Sequence, residues 1–246
     1  MTSARVECGM CRCSISPNQP SYLPTVRIDL HTHSSVSADG WLSPAAMVEA
    51  AVTAGLDKIA ITDHREIDGA LEAFDRYPDR VIVGEEIHCK SGTHIIGLYL
   101  EKLIPSGRSV EETAERIRDQ GGVIYAPHPF AYAWAAGTHA HESLACADLV
   151  EVFNSRAFLP SWNRRAIEAA REMNLATAAS TDAHFPWEFG RAYTEVPSFS
   201  DVDGFKTALK AARPVGNRLG SPWLHVGSKL VAEVRRFVPT WRRGAS

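Results

Sequence analysis

Along the chain, short apolar runs alternate with longer stretches in which apolar residues recur every three to four positions. The short runs predict strands at 26–31, 58–63, 81–87, 94–100, 122–127, 149–154 and 176–181, with a further one at 192–196. The longer stretches predict helices at 44–54, 68–76, 109–120, 161–173, 201–212 and 228–237. Ser43-Pro44 starts the first of these, since Ser caps free amides and Pro fits the opening turn. Gly55 ends it. Ser109 and Glu112 form a capping box, and Gly121-Gly122 closes the helix that follows. Strands alternating with helices predict an α/β fold with a largely parallel sheet.

Polar residues fall where such a fold assembles its chemistry. His33, His64, Glu86, His128, Asn154 and Asp182 lie at or just past the carboxyl ends of predicted strands, the face on which barrel enzymes build their sites. His31 and His33 are two residues apart on one strand and so share a face. Asp182 and His184 repeat that spacing late in the chain, and Asp39 and His94 also border predicted strands. Imidazoles and carboxylates paired in this way are metal-ligand chemistry.

The order of these residues carries a resemblance. Asp29-Leu30-His31-Thr32-His33-Ser34, Ser37-Ala38-Asp39-Gly40, Ile61-Thr62-Asp63-His64, Gly84-Glu85-Glu86-Ile87, Ala126-Pro127-His128-Pro129 and Thr181-Asp182-Ala183-His184 together resemble the PHP (polymerase and histidinol phosphatase) family. The likeness extends from about Arg27 to about Pro197. His94-Ile95-Ile96-Gly97, Glu151-Val152-Phe153-Asn154 and Gly190-Arg191-Ala192 look like its stand-alone bacterial members. The resemblance implies a distorted TIM-like (β/α)7 barrel with a metal site at the C-terminal ends of the strands. It also implies a partition of ligands: His31, His33 and Asp182 for one ion, Glu86 bridging to a second held by His94 and His128, and Asp39, His64 and His184 for a third. Asp39 stands where some members have His, which makes that site richer in oxygen. Two or three divalent ions, manganese, zinc or iron, suit such a donor set, and no cysteine among the nine imposes a softer metal.

Composition sets the scale. One barrel-sized domain over 25–246, ending in a helix at about 228–243, accounts for the 246 residues, behind a poorly ordered leader at 1–24. The leader holds Cys8, Cys11 and Cys13, too few ligands for a closed zinc site. Five cysteines do not suggest a disulfide framework. No apolar run approaches the ~18 residues of a membrane span, and no signal-like stretch opens the chain, so a cytoplasmic protein is expected. A net charge of −3 argues against nucleic acid as a stable partner. Segment 130–148, with Tyr132, Trp134, His139 and His141, is read either as a lid or as a surface excursion. Arg235, Arg236, Arg242 and Arg243 lie on a tail interrupted by Pro239 and are read as a solvated face, and His88 is read as packing.

Together these features predict a hydrolase acting on a small phosphomonoester. A water shared by two ions ionises near neutral pH and attacks in line. Three divalent ions, three carboxylates and a hydroxide leave roughly +2, which matches a phosphate dianion better than a neutral amide. Glu86 and Asp182 are the central carboxylates. Arg191 and Arg156 are the candidate phosphate clamps, with Arg65 behind them, because guanidinium offers two-point binding. Asp29 and Asp63 are expected to orient the neighbouring ligands. Two alternatives stand beside this reading: hydrolysis of an amide, carbamate or ester with the same ions, and a non-catalytic module, against which the presence of all nine ligands speaks.

Overall fold

The computed structural model describes residues 24–131, 136–216, 218–221 and 223–237. Cys8, Cys11 and Cys13 of the expected leader lie outside the described residues, as do Tyr132, Trp134, Pro239, Arg242 and Arg243. The strands are β1 (Thr25–Asp29), β2 (Lys58–Ile61), β3 (Val81–His88), β4 (His94–Leu98), β5 (Val123–Ala126), β6 (Leu149–Asn154), β7 (Ala176–Ser180), β8 (Ala192–Pro197) and β9 (Arg213–Gly216). They form one sheet in the order β7-β6-β5-β4-β3-β2-β1-β8-β9. Pairing is parallel from β1 through β3 and from β5 through β7. Two strands run against this direction. β4 returns from β3 through a short hairpin that sets His88 opposite His94. β8 lies antiparallel to both β1 and β9.

The sheet curls until its two ends touch. Thr194 of β8 accepts from the amide of Ala179 on β7 and donates to its carbonyl, both at 3.0 Å. Gly216 of β9 lies against the Phe153 ring so closely that a Cβ there would stand 2.5 Å from its carbons. The result is a distorted, nearly closed barrel. Inside it, Ile28, Ala60, Ile82, Ile96, Tyr125, Leu149, Ala178 and Val196, one from each of eight strands, meet in a single buried cluster with Phe205. The opposite faces, with Ile59, Ile61, Val81 and Val83, pack outward against helices.

Those helices are α1 (Pro44–Thr53), α2 (Asp68–Arg76), α3 (Val110–Asp119), α4 (Ala136–Cys146), α5 (Pro160–Met173), α6 (Val202–Ala208) and α7 (Trp223–Phe237). Ser43 and Ser109 cap α1 and α3 through Ala46 and Glu112 amides, as their sequences predict. Three expectations change. Within segment 130–148 the described residues include α4, whose Ala140 and Leu144 pack with Phe130 and Val150, so this helix flanks the barrel. β9 goes unforeseen because Pro214 weakens its strand pattern. α7 starts five residues earlier than 228, and its Arg235 is buried instead of solvated. Among the described residues no helix is long and apolar enough to cross a membrane.

Candidate metal centre

All nine candidate ligands converge at the carboxyl ends of the parallel strands. His31 and His33 follow β1, Asp39 lies in the next loop, and His64 follows β2. Glu86 is on β3, His94 opens β4, His128 follows β5, and Asp182 and His184 follow β7. Gly40 is required beside Asp39, because a Cβ there would stand 2.0 Å from the Ser34 carbonyl. Arg65, His128 and Asp182 all adopt positive φ. Non-glycine residues rarely do so, and here three of them border the same site.

Glu86 stands at the middle. Its Oε1 lies 2.6 Å from His94 Nδ1 and 3.2 Å from His128 Nε2. Its Oε2 lies 3.3 Å from both His31 Nε2 and His33 Nε2, and 3.0 Å from His64 Nδ1. Asp182 Oδ1 is 3.3 Å from His33 Nε2 and 3.6 Å from His31 Nε2. Asp39 Oδ2 approaches His184 Nε2 at 3.0 Å and His64 Nε2 at 3.5 Å. Among the described residues, donor atoms fall in four overlapping triads within 4.8 Å: His33, His64 and His184; His31, His33 and Glu86; His31, His128 and Asp182; Glu86, His94 and His128.

The protein alone leaves this arrangement unsatisfied. Both ring nitrogens of His33 are buried without a hydrogen bond, although carboxylate oxygens face Nε2. Burial, followed by the His64 and His184 charges, lowers the His33 pKa to about 3. Burial also opposes charge on His31, but Asp182, Glu151 and Glu86 outweigh it and hold that imidazole well above its usual range. Burial raises Glu86 as well, and His64, His94 and His31 bring it far below an ordinary carboxylate. The unpartnered neutral ring of His33 and the carboxylates gathered beside it are satisfied by cations. The residues fit divalent metal ions.

A surrounding layer holds the candidate ligands. Glu151 accepts from the His128 amide at 2.6 Å and from Asn154 Nδ2 at 3.0 Å, and lies 3.2 Å from His31 Nδ1. Its grip on Nδ1 turns Nε2 of His31 toward Glu86. Asp63 binds both the amide and the hydroxyl of Ser34 at 2.6 Å. Asp29, pushed up to about 7 by burial, accepts from the Thr181 amide and hydroxyl and so ties the ends of β1 and β7 together. His88 does more than pack: its ring stacks on His94 at 4.0 Å, and Nε2 lies 3.1 Å from His64 Nδ1.

The centre opens into a cavity of about 280 Å³ whose far wall is α7, with His225, Ser228, Lys229 and Ala232. Arg156 lines it, anchored by Nε to Glu188 at 2.9 Å, by Nη2 to the Leu224 carbonyl at 3.0 Å, and with Nη1 2.9 Å from His184 Nδ1. Arg191 is not among the lining residues, and its Nε donates to the Trp187 carbonyl at 3.2 Å. Arg65 reaches His88 Nδ1 at 3.0 Å.

The sequence of residues 29–148 matches the PHP domain model, and residues 160–214 match the PHP-associated model. An uncharacterized protein of Methanocaldococcus jannaschii, MJ0417, is 33% identical over 243 residues, covering 86% of this chain and 98% of that protein. The chain belongs to the PHP family. Its fold is similar to that of a two-domain Bacteroides vulgatus protein described as containing a predicted PHP-like metal-dependent phosphoesterase (TM-score 0.65, 22% identity, 84% of this chain and 70% of that one). It is also similar to PsfC from Pseudomonas syringae (TM-score 0.61, 18% identity, 85% and 98%). With the candidate donors assembled in the barrel mouth, this PHP protein is a metal-dependent hydrolase of the PHP/amidohydrolase-like phosphoesterase superfamily.

Proposed function

We propose that the protein hydrolyses a small phosphomonoester with two or three divalent ions, manganese, zinc or iron. The observation that carries this reading is the division of labour on Glu86. One carboxylate oxygen faces His94 and His128, and the other faces His31, His33 and His64, as a bridge between two ions requires. In this reading His31, His33 and Asp182 hold the first ion, His94 and His128 the second, and Asp39, His64 and His184 the third. When bound, the ions would supply an ionised water near neutral pH and Lewis-acid sites for phosphoryl oxygens.

The chain's own residues do the rest. Glu151 orients His31, and through the His128 amide it fixes the loop after β5. Arg156 holds His184 and α7 in register with the barrel, and Asp182 and Glu86 balance the cationic charge. Of the two arginines expected to clamp phosphate, Arg156 is the one lining the cavity, where Glu188, His184 and Leu224 already hold its guanidinium. A cavity of about 280 Å³ is at the lower limit of small-molecule sites and favours a compact leaving alcohol. The filled centre, roughly +2, favours a phosphate dianion over a diester monoanion and over a neutral carbamate.

Metal analysis of the purified protein, followed by phosphomonoesters, diesters and carbamates compared side by side, tests the proposal. Activity on monoesters should exceed the others and vanish on chelation. A neutral carbamate or amide turned over with higher kcat/KM than every phosphoester would replace this reading with amidohydrolase chemistry.

A further inference from the structure

The cavity has two unlike walls. One is the ligand set. The other is α7, from which His225, Ser228, Lys229 and Ala232 recur at the i, i+3, i+4, i+7 spacing of a single helix face. Two of these four are already engaged within the protein and a third is apolar. Ser228 donates to the Leu224 carbonyl at 3.2 Å and lies 3.4 Å from Arg156 Nη1. His225 Nε2 lies 2.7 Å from the Arg156 carbonyl, and its ring stacks on Phe158 at 4.3 Å. Ala232 brings no polar side-chain atom. Lys229 remains, exposed and lining the cavity, with no hydrogen-bond or ion-pair partner among the described residues.

Its place is held from both sides. Before it in the helix, Arg156 binds the Leu224 carbonyl. After it, buried Arg235 donates to the carbonyls of Ser35 at 3.1 Å and Ser37 at 3.0 Å, in the loop that carries Asp39. The ammonium is therefore presented by a rigid element. It is also uncompensated: the acids lining the cavity are Asp39, Glu86 and Asp182, all in the ligand set, and Glu188 is engaged with Arg156. A phosphate drawn to the ion side would place its leaving group toward α7.

We propose that Lys229 is a specificity-determining residue that binds a second anionic group, carboxylate or phosphate, on the leaving-group side of the substrate. The proposal rests on the phosphoesterase reading and narrows its substrate class to small phosphomonoesters of an anionic alcohol.

Calorimetric binding of inert probes of matched length to the metal-loaded protein separates the possibilities. Propylphosphonate carries one anionic end; 3-phosphonopropionate adds a carboxylate, and 1,3-propanediphosphonate a second phosphonate. One or both doubly anionic probes should bind about ten- to a hundredfold more tightly than propylphosphonate, the range for a hydrogen bond to a charged group. The tighter of the two identifies the anion. In Lys229→Met the probes should bind alike, and in Lys229→Arg the preference should persist. Equal binding in the wild type, or a preference surviving in Lys229→Met, overturns the assignment. Hydrolysis assays with wild type judge the phosphoesterase reading separately: that reading can fail while the binding preference stands, and the reverse.

Discussion

Arg156 joins the barrel, the candidate ligand His184 and the helix that walls the cavity, so its removal tests the architecture most directly. The substitution Arg156→Met keeps much of the aliphatic stem and deletes the guanidinium. Glu188, fully buried, would lose the cation 2.9 Å from its Oε1. Breaking a buried pair on one side costs about 3–5 kcal/mol, because the remaining charge is left uncompensated. Two amides, those of His184 and Phe185, still donate to the other Glu188 oxygen at 3.0 Å. They cushion the loss, and the expected cost is near the lower end, about 3 kcal/mol. Urea unfolding of the metal-loaded protein measures it. Adding Glu188→Gln to Arg156→Met should restore part of the stability, since it removes the stranded charge and keeps an oxygen for the amides. Hydrogen exchange should also accelerate at the start of α7, where the Leu224 carbonyl loses its donor. A cost below about 1 kcal/mol, the scale of an exposed pair, would refute the reasoning, as would a double variant that is simply additive.

Two further outcomes are expected. Glu86→Ala should remove more bound metal than any other single ligand change, since one residue faces five imidazoles; elemental analysis after dialysis that finds wild-type metal content would contradict the bridge. Glu85, next to it but on the other face of β3, is buried with Oε1 unpartnered, and burial raises its pKa from 4.5 to about 7. A folded pKa above the unfolded one means that stability is intact below about pH 4.5 and is lost as pH rises through about 7. Above that pH the deficit approaches about 3 kcal/mol at 1.36 kcal/mol per unit. Glu85→Gln should therefore gain on wild type between pH 5 and 8.5, as measured by paired urea titrations, and a constant difference across that range would sink the argument.

The convergence of the nine candidate donors was legible because strand geometry is local. His31 with His33, and Asp182 with His184, sit where alternation and the strand end place them. The less regular backbone hid Glu151. Between Glu151 and Phe153 the register of β6 against β7 shifts, so Glu151 and Asn154 meet through their side chains although they stand three positions apart. Simple alternation sends such a pair to opposite faces. His88 was missed for a related reason: the β3–β4 hairpin sets it directly opposite His94, a cross-strand pairing that depends on where the chain turns. Arg191, expected as a phosphate clamp, does not line the cavity, and its Nε donates to the Trp187 carbonyl, a contact the sequence spacing does not announce.

The wall that faces the donor cluster follows a different logic. Nothing near Lys229 in the chain marks it for a site, because its place depends on Arg235 reaching Ser35 and Ser37, about two hundred residues earlier, and on Arg156 reaching Leu224. Each strand's own register fixes its ligands, whereas a few long-range contacts fix α7. Lys229 makes none of these contacts, so a change there alters what the cavity accepts and leaves the donor triads in place. A change at Glu86 or Asp182 removes the centre whatever α7 presents. Metal content and ligand preference should consequently separate in variants of this protein, with Lys229 moving the second and Glu86 the first.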